Sequence, residues 1–238
     1  MPKLPYESIA GRWRVLRNRG WRVREVACVG APRTLLCAEF GEPALPVVAL
    51  SAGVHGDEPA GVEALLALAE DDALDPRFAY RVWPCLNPTG YDAGTRKNAA
   101  GSDINRTFAR AGGSPEAAAV IIANRDLRFA LAIDLHEDDE GAGFYCYDYG
   151  GAPGERALAA ATASGHPADP RGVLRPDPES EARELGGLSL MLRLIRHAAP
   201  RGITLETASA RPFDERVAAH MAAVRAVLTE PSLIPRVL

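Results

Sequence analysis

Residues 46–72 read PVVALSAGVHGDEPAGVEALLALAEDD, and the way this stretch divides decides the fold. Pro46 to Ala52 is a continuous apolar run rather than an alternating one, which fits a central strand covered on both faces. It ends at Gly53. From Pro59 a proline at a first-turn position precedes an interior rich in Ala and Leu, the pattern of a helix start and body.

The same alternation extends in both directions. Upstream, Trp21 to Val29 and Thr34 to Phe40 are rich in β-branched and aromatic residues and are separated by Gly30, Ala31 and Pro32, which predicts an antiparallel hairpin. Downstream, Phe78 to Cys85 resumes strand character, and a helix from about Pro115 to Arg128 leads into the strand FALAIDLH, Phe129 to His136. The aromatic strand FYCYDY, Phe144 to Tyr149, precedes a helix from Gly154 to Ser164. Gly165 to Pro178 concentrates Pro, Gly and Asp and reads as a long surface loop. A helix near Leu188 to Ala198, a strand from Gly202 to Thr207 and a helix from Pro212 to about Leu228 follow. The expectation is an α/β fold of three layers, α/β/α, with a mixed, mainly parallel twisted sheet and helices on both faces.

Bulk properties narrow the function classes. With 238 residues and 47% hydrophobic content the chain can bury one substantial core, so a single domain over 1–238 is expected. A net charge of -4 argues against a general affinity for nucleic acid, which needs clustered Lys and Arg. The six arginines between Arg12 and Arg24 are the local exception, but Arg22 and Arg24 alternate with Trp21 and Val23 as the wet side of a half-buried strand does. Cys28, Cys37, Cys85 and Cys146 show no metal-ligand rhythm or disulfide framework and read as buried thiols. No signal pattern opens the chain and no stretch approaches the roughly 18 apolar residues of a membrane span, so a cytoplasmic location without membrane partners is expected.

In sheets of this kind ligands gather beyond the carboxyl ends of the strands. His55 and Glu58 follow one strand, Asn87 another, His136 a third and Glu206 a fourth. In HGDE, His55 and Glu58 stand three apart at the start of a helix, where an imidazole and a carboxylate can grip one cation. The pair alone is a weak signal. A catalytic zinc takes three protein ligands and keeps one position open, and His136 is the third candidate. A hydrogen-bonded core histidine is the competing reading of His136, and its strand-end position, matching that of His55, decides for the ligand. His166, His197 and His220 have no such placement.

The segments GVHGDE, LNPTGYDAGTRKN, SDINRTF, IDLH and ITLETAS lie in this order between Gly53 and Ser209. Together they resemble the zinc carboxypeptidase superfamily, including its succinylglutamate desuccinylase and aspartoacylase branch. The resemblance implies one Zn2+ held by His55, Glu58 and His136, with Glu206 as general base. It also implies that Asn105 and Arg106 clasp a substrate carboxylate, that Arg96 polarises the scissile carbonyl, and that Asp103 orients a metal-bound histidine. Arg96 lies in a loop, DAGTRKN, that also offers Lys97, and simple solvation is the other reading of that arginine.

The chain departs from the family in two places. Digestive carboxypeptidases carry a tyrosine shortly before the catalytic glutamate, yet no tyrosine lies between Gly150 and Glu206, leaving Tyr145, Tyr147 and Tyr149 as the nearby candidates. The aspartoacylase branch carries an extra carboxyl-terminal β-domain, whereas 32 residues follow Glu206 here (238 − 206), read as a helix. The acidic run Glu137, Asp138, Asp139 and Glu140 has three readings: a solvated loop, a field favouring a basic substrate, or a site for a second divalent cation. Asp139, three after His136, is also a competing ligand. The leading expectation is a metallocarboxypeptidase cleaving an amide beside a free carboxylate in short peptides. An N-acyl amino acid deacylase is the alternative, and a non-catalytic metal- and peptide-binding protein the second alternative.

Overall fold

The apolar run becomes the strand Val47–Ala52, held between two parallel partners, Ala79–Trp83 and Leu131–Asp138. The computed structural model describes residues 3–109 and 113–233. In chain order the strands are β1 (Arg22–Val26), β2 (Leu35–Phe40), β3 (Val47–Ala52), β4 (Ala79–Trp83), β5 (Leu131–Asp138), β6 (Phe144–Tyr149), β7 (Ala168–Leu174) and β8 (Gly202–Ala208). They form one sheet in the order β1-β2-β4-β3-β5-β8-β6-β7. The four middle strands β4, β3, β5 and β8 run parallel; β1 and β2 add antiparallel at one side, and β6 lies antiparallel to β8 at the other.

The helices are α1 (Tyr6–Val15), α2 (Pro59–Glu70), α3 (Pro88–Ala93), α4 (Pro115–Asn124), α5 (Gly154–Ala163), α6 (Pro178–Glu184), α7 (Leu190–His197) and α8 (Phe213–Leu228). Alternate strand residues feed two apolar layers. One unites Leu50, Ile133 and Leu205 with Trp13 of α1, Leu65 of α2, Ala157 of α5 and Val224 of α8. The other unites Ala49, Trp83 and Ala132 with Val120 of α4 and Leu192 of α7. The expected three-layer, mainly parallel α/β/α arrangement is the observed one.

The hairpin over Trp21–Phe40 forms as expected, with Val23 opposite Ala38, and Arg22 and Arg24 exposed. Four elements, α1, α3, α6 and β7, are absent from the sequence reading, and two of them change it. Helix α1 lies within the arginine-rich amino-terminal region; Tyr6, Ile9, Ala10 and Trp13 share its buried stripe, and Arg12 bridges to Glu63 and Glu70 of α2 at 2.7 and 2.5 Å. The stretch 165–178, expected to be a long loop, contains β7 instead. Pro170 and Gly172 masked it, yet β7 pairs with β6 alone, and an outer strand tolerates both residues. All four cysteines are buried free thiols. Among the described residues no helix is long and apolar enough to cross a membrane.

Candidate functional site

Beyond the carboxyl end of β3 the chain must turn sharply and stay close to its neighbours. Gly53 adopts φ +62, and a Cβ there would crowd Val62 and Cys85. A side chain at Gly56 would overlap the backbone of Gly90 and Tyr91 in α3. This compact loop presents His55 and Glu58 immediately before α2, whose first helical residue is Pro59.

His136, one turn of pleat from the end of β5, meets them. His55 Nδ1 lies 2.5 Å from Glu58 Oε1, and His136 Nδ1 lies 2.8 Å from Glu58 Oε2. All three are buried, with donor atoms within 4.8 Å of one another, and among the described residues they form the one such group found. Each imidazole is also approached from behind by a carboxylate. His55 Nε2 lies 3.4 Å from Asp103 Oδ1, and His136 Nε2 lies 3.1 Å from Asp134 Oδ2. Two nitrogen donors, one carboxylate and an outer pair of carboxylates match what a divalent ion such as zinc takes. Burial acts against charge on both partners, but mutual attraction outweighs it: the imidazoles hold Glu58 well below the usual carboxylate range, and Glu58 and Asp134 hold His136 above its ordinary value.

The other expected residues surround this cluster. Glu206 pairs with His136 across the β5–β8 ladder and with Tyr145 across the β6–β8 ladder, so it stands beside the cluster on one sheet face. Burial, with Glu58, Asp138 and Asp134 adding their charges against the pull of His136, pushes its carboxyl up to about 8. Asp103 caps the short helical turn Ile104–Arg106 and accepts from Arg96 Nε at 3.0 Å. His55 and the guanidinium groups of Arg96 and Arg106 overcome its partial burial and hold it well below the usual range. Arg96 Nη1 comes within 3.3 Å of His55 and 3.8 Å of Glu58. Asn105 Oδ1 accepts from Leu190 N at 2.9 Å, and Arg106 makes no ion pair among the described residues. Glu206, Arg96, Asn105 and Arg106 line, with the cluster, a cleft of about 310 Å³.

Asn87 is not among them. It caps α3 through Gly90 N and donates to Arg96 O at 3.0 Å, shaping the Arg96 loop from outside the cleft. The acidic run is not a solvated loop throughout either. Glu137 is buried, accepts from Ala60 N at 2.6 Å and pairs with Arg216; Asp138 takes the Tyr145 hydroxyl at 2.9 Å and Arg171 at 2.8 Å. Asp139 is exposed and stays outside the donor cluster.

Sequence reasoning missed Asp134, Arg171 and Glu181, all of which line the cleft. Asp134 had a readable signal, since residues i and i+2 of a strand share a face and DLH places an acid beneath His136. Arg171 and Glu181 reach the cleft from β7 and α6, in or just after the stretch read as a loop, where no local pattern announces them.

Solved metallopeptidases share this architecture. A candidate metallopeptidase of Shewanella amazonensis superposes with a TM-score of 0.77 at 22% identity, covering 97% of this chain and 94% of that one. A metallo-carboxypeptidase of Pseudomonas aeruginosa, solved in complex with (2-guanidinoethylmercapto)succinic acid, gives a TM-score of 0.65 at 16% identity over 94% of this chain and 67% of that one. In sequence, carboxypeptidase D of Mus musculus is 32% identical over 118 residues, 40% of this chain but 9% of that much longer protein. Carboxypeptidase SOL1 of Arabidopsis thaliana is 33% identical over 115 residues, 40% of this chain and 23% of that protein. The protein is thus of the zinc carboxypeptidase class in fold and sequence. More narrowly, the model of the succinylglutamate desuccinylase/aspartoacylase catalytic domain matches residues 44–230, and the chain belongs to that family.

Proposed function

We propose that the protein is a zinc-dependent hydrolase that cleaves an amide bond beside a free carboxylate, as a metallocarboxypeptidase acting on short peptides, and that residues 1–238 serve as one catalytic domain. The observation that carries this reading is the buried His55–Glu58–His136 cluster with Glu206 at its side, in a cleft where Arg106 has no ion-pair partner among the described residues. When bound, zinc supplies Lewis acidity and lowers the pKa of water to roughly 7.

The chain's own groups do the rest. His55, Glu58 and His136 hold the ion, while Asp103 and Asp134 fix the orientation of the two imidazoles. Glu206 takes the proton from the attacking water and delivers it to the departing nitrogen, a task suited to a carboxyl raised towards neutrality. Arg96 lies against the cluster and offers positive charge where the carbonyl oxygen becomes an oxyanion. Arg106 offers a planar fork to the substrate carboxylate, with Asn105 beside it.

The family match favours a second reading, an N-acyl amino acid deacylase. A panel of dipeptides and N-acetyl amino acids separates the two, since turnover of the N-acetyl series alone makes the deacylase the function. Metal analysis together with Glu206→Gln tests the common mechanism. The variant is expected to keep its zinc and lose activity by at least about a hundredfold. Zinc-loaded wild type that turns over nothing in the panel would instead make the protein a metal and peptide binder.

A further inference from the structure

Arg96, Asp103, Asn105 and Arg106, four of the residues that surround the cluster, sit on the one segment that joins α3 to α4. Its middle, Ala99 to Gly101, is exposed, so packing of those residues does not hold it in place. Asn98 is buried beside them, and every one of its polar atoms is hydrogen-bonded. Its backbone amide donates to Ser102 O at 3.0 Å, and its carbonyl accepts from Gly101 N at 2.8 Å. Its side-chain oxygen accepts from Ala100 N at 3.1 Å and Ser102 N at 2.9 Å. Gly101 completes this turn at φ +74, a left-handed conformation that suits glycine.

The other end of the Asn98 side chain reaches α4. Nδ2 donates to the two oxygens of Glu116 at 3.2 and 3.1 Å, and Glu116 is itself buried in the first turn of that helix. The network leaves one orientation for the carboxamide, because the reverse would set its oxygen against the carboxylate and its NH2 against two backbone amides. Helix α4 is a firm base for this contact, since Ala117 and Val120 pack in one apolar layer with Ile104 and Phe108. At the start of the segment Arg96 O accepts from Gly56 N at 3.4 Å and from Asn87 Nδ2 at 3.0 Å, and at the surface Ala99 N donates to Thr89 Oγ1 at 3.0 Å. Between the fixed points at Arg96 and Ile104, the Asn98–Glu116 bond is the buried polar tie.

We propose that Asn98 and Glu116 are positioning residues for the hydrolysis: their bond holds the turn that sets Arg96 against the metal-binding cluster and Arg106 towards the substrate carboxylate. The proposal rests on the hydrolase reading above and adds two residues that lie outside the cleft. A shift of about 1 Å in a catalytic group costs on the order of a hundredfold in rate, so a tie remote from the reacting atoms has a kinetic effect.

The test pairs two substitutions. Asn98→Asp keeps the oxygen that Ala100 N and Ser102 N need but sets a second carboxylate against Glu116. It is expected to lower kcat and raise KM at full zinc content, with kcat/KM down roughly ten- to a hundredfold. Glu116→Gln retains an acceptor for Asn98 and is expected to stay near wild type. Combined with Asn98→Asp, it supplies the amide hydrogens that the new carboxylate needs, and most of the lost kcat/KM is expected to return. A merely structural bond would lower the melting temperature without moving kcat or KM of the folded, zinc-loaded protein. Should Asn98→Asp not fold, Glu116→Ala removes the partner without repulsion and is expected to shift kcat in the same direction. Wild-type kinetics in a folded Asn98→Asp or Glu116→Ala variant, or no recovery in the double variant, overturns the proposal while leaving the hydrolase intact. If no substrate is cleaved, calorimetric titration of the zinc-loaded protein with succinate, a dicarboxylate without an amide, takes the place of turnover. Weaker binding in Asn98→Asp that Glu116→Gln restores then supports the tie, and equal binding, or none in wild type, overturns it.

Discussion

Asp134 shows how much of a site lies one layer behind its ligands. Its carboxylate accepts from Ser51 Oγ at 2.7 Å and reaches His136 Nε2 at 3.1 Å, all three side chains being buried. An acid so placed fixes which imidazole nitrogen faces the cluster and raises its basicity. Asp134→Asn is expected to weaken zinc binding by about ten- to a hundredfold, measured by competition with a chromophoric chelator. An unchanged affinity would reduce Asp134 to a packing role. At this scale the sequence was legible where a reactive residue ended a strand, as with His55, His136 and Glu206. It was silent on Glu181, whose place in the cleft depends on β6, α6 and α7 meeting around it.

Among elements, the junction of β5 with α2 bears directly on the cluster. Glu137 follows His136 on β5 yet accepts from Ala60 N in the first turn of α2, just after Glu58, and pairs with Arg216 of α8. A carboxylate at a helix amino terminus suits the exposed amides there. One side chain therefore ties the strand carrying one donor to the helix start carrying another. Glu137→Ala leaves Arg216 largely buried without its partner, and a loss of about 3–5 kcal/mol is expected from urea unfolding. Glu137→Ala with Arg216→Met removes both charges and is expected to recover much of that loss. The three readings of the acidic run could not be separated in the sequence, because sequence alone cannot show that β5 extends to Asp138 and points Glu137 inward. Helix α1 was hidden in the same way, its apolar stripe of Tyr6, Ile9 and Trp13 overshadowed by neighbouring arginines.

For the whole molecule, pH enters through a buried histidine. His220 of α8 is fully buried, has Thr207 Oγ1 at 3.2 Å from Nε2, and its Nδ1 has no hydrogen-bond partner among the described residues. Burial, reinforced by the charges of His166 and His136, pushes its pKa down to about 3. Between that value and the unfolded value near 6.5 the unfolded chain binds the extra proton, so stability falls as pH drops through this window and is unaffected above it. The contribution lost by pH 5 is about 2 kcal/mol. Thermal melts from pH 7 to pH 4.5 are expected to show this decline, and His220→Leu is expected to flatten it; an equally steep decline in the variant would place the proton elsewhere. The three-layer arrangement was readable because uninterrupted apolar strands alternated with helices, whereas strand order and the position of β7 depend on long-range pairing that leaves no local mark.

The two outermost strands carry a consequence for how the protein behaves in a crowded solution. On one rim β1 shows Arg22, Arg24 and Glu25 to water, and on the other β7 carries Pro170, which has no amide hydrogen to give. Neither rim is a good template for a foreign strand, because charge guards one and a missing donor the other. An interior rich in parallel, aggregation-prone β-segments is thereby closed off from growth at both of its open margins.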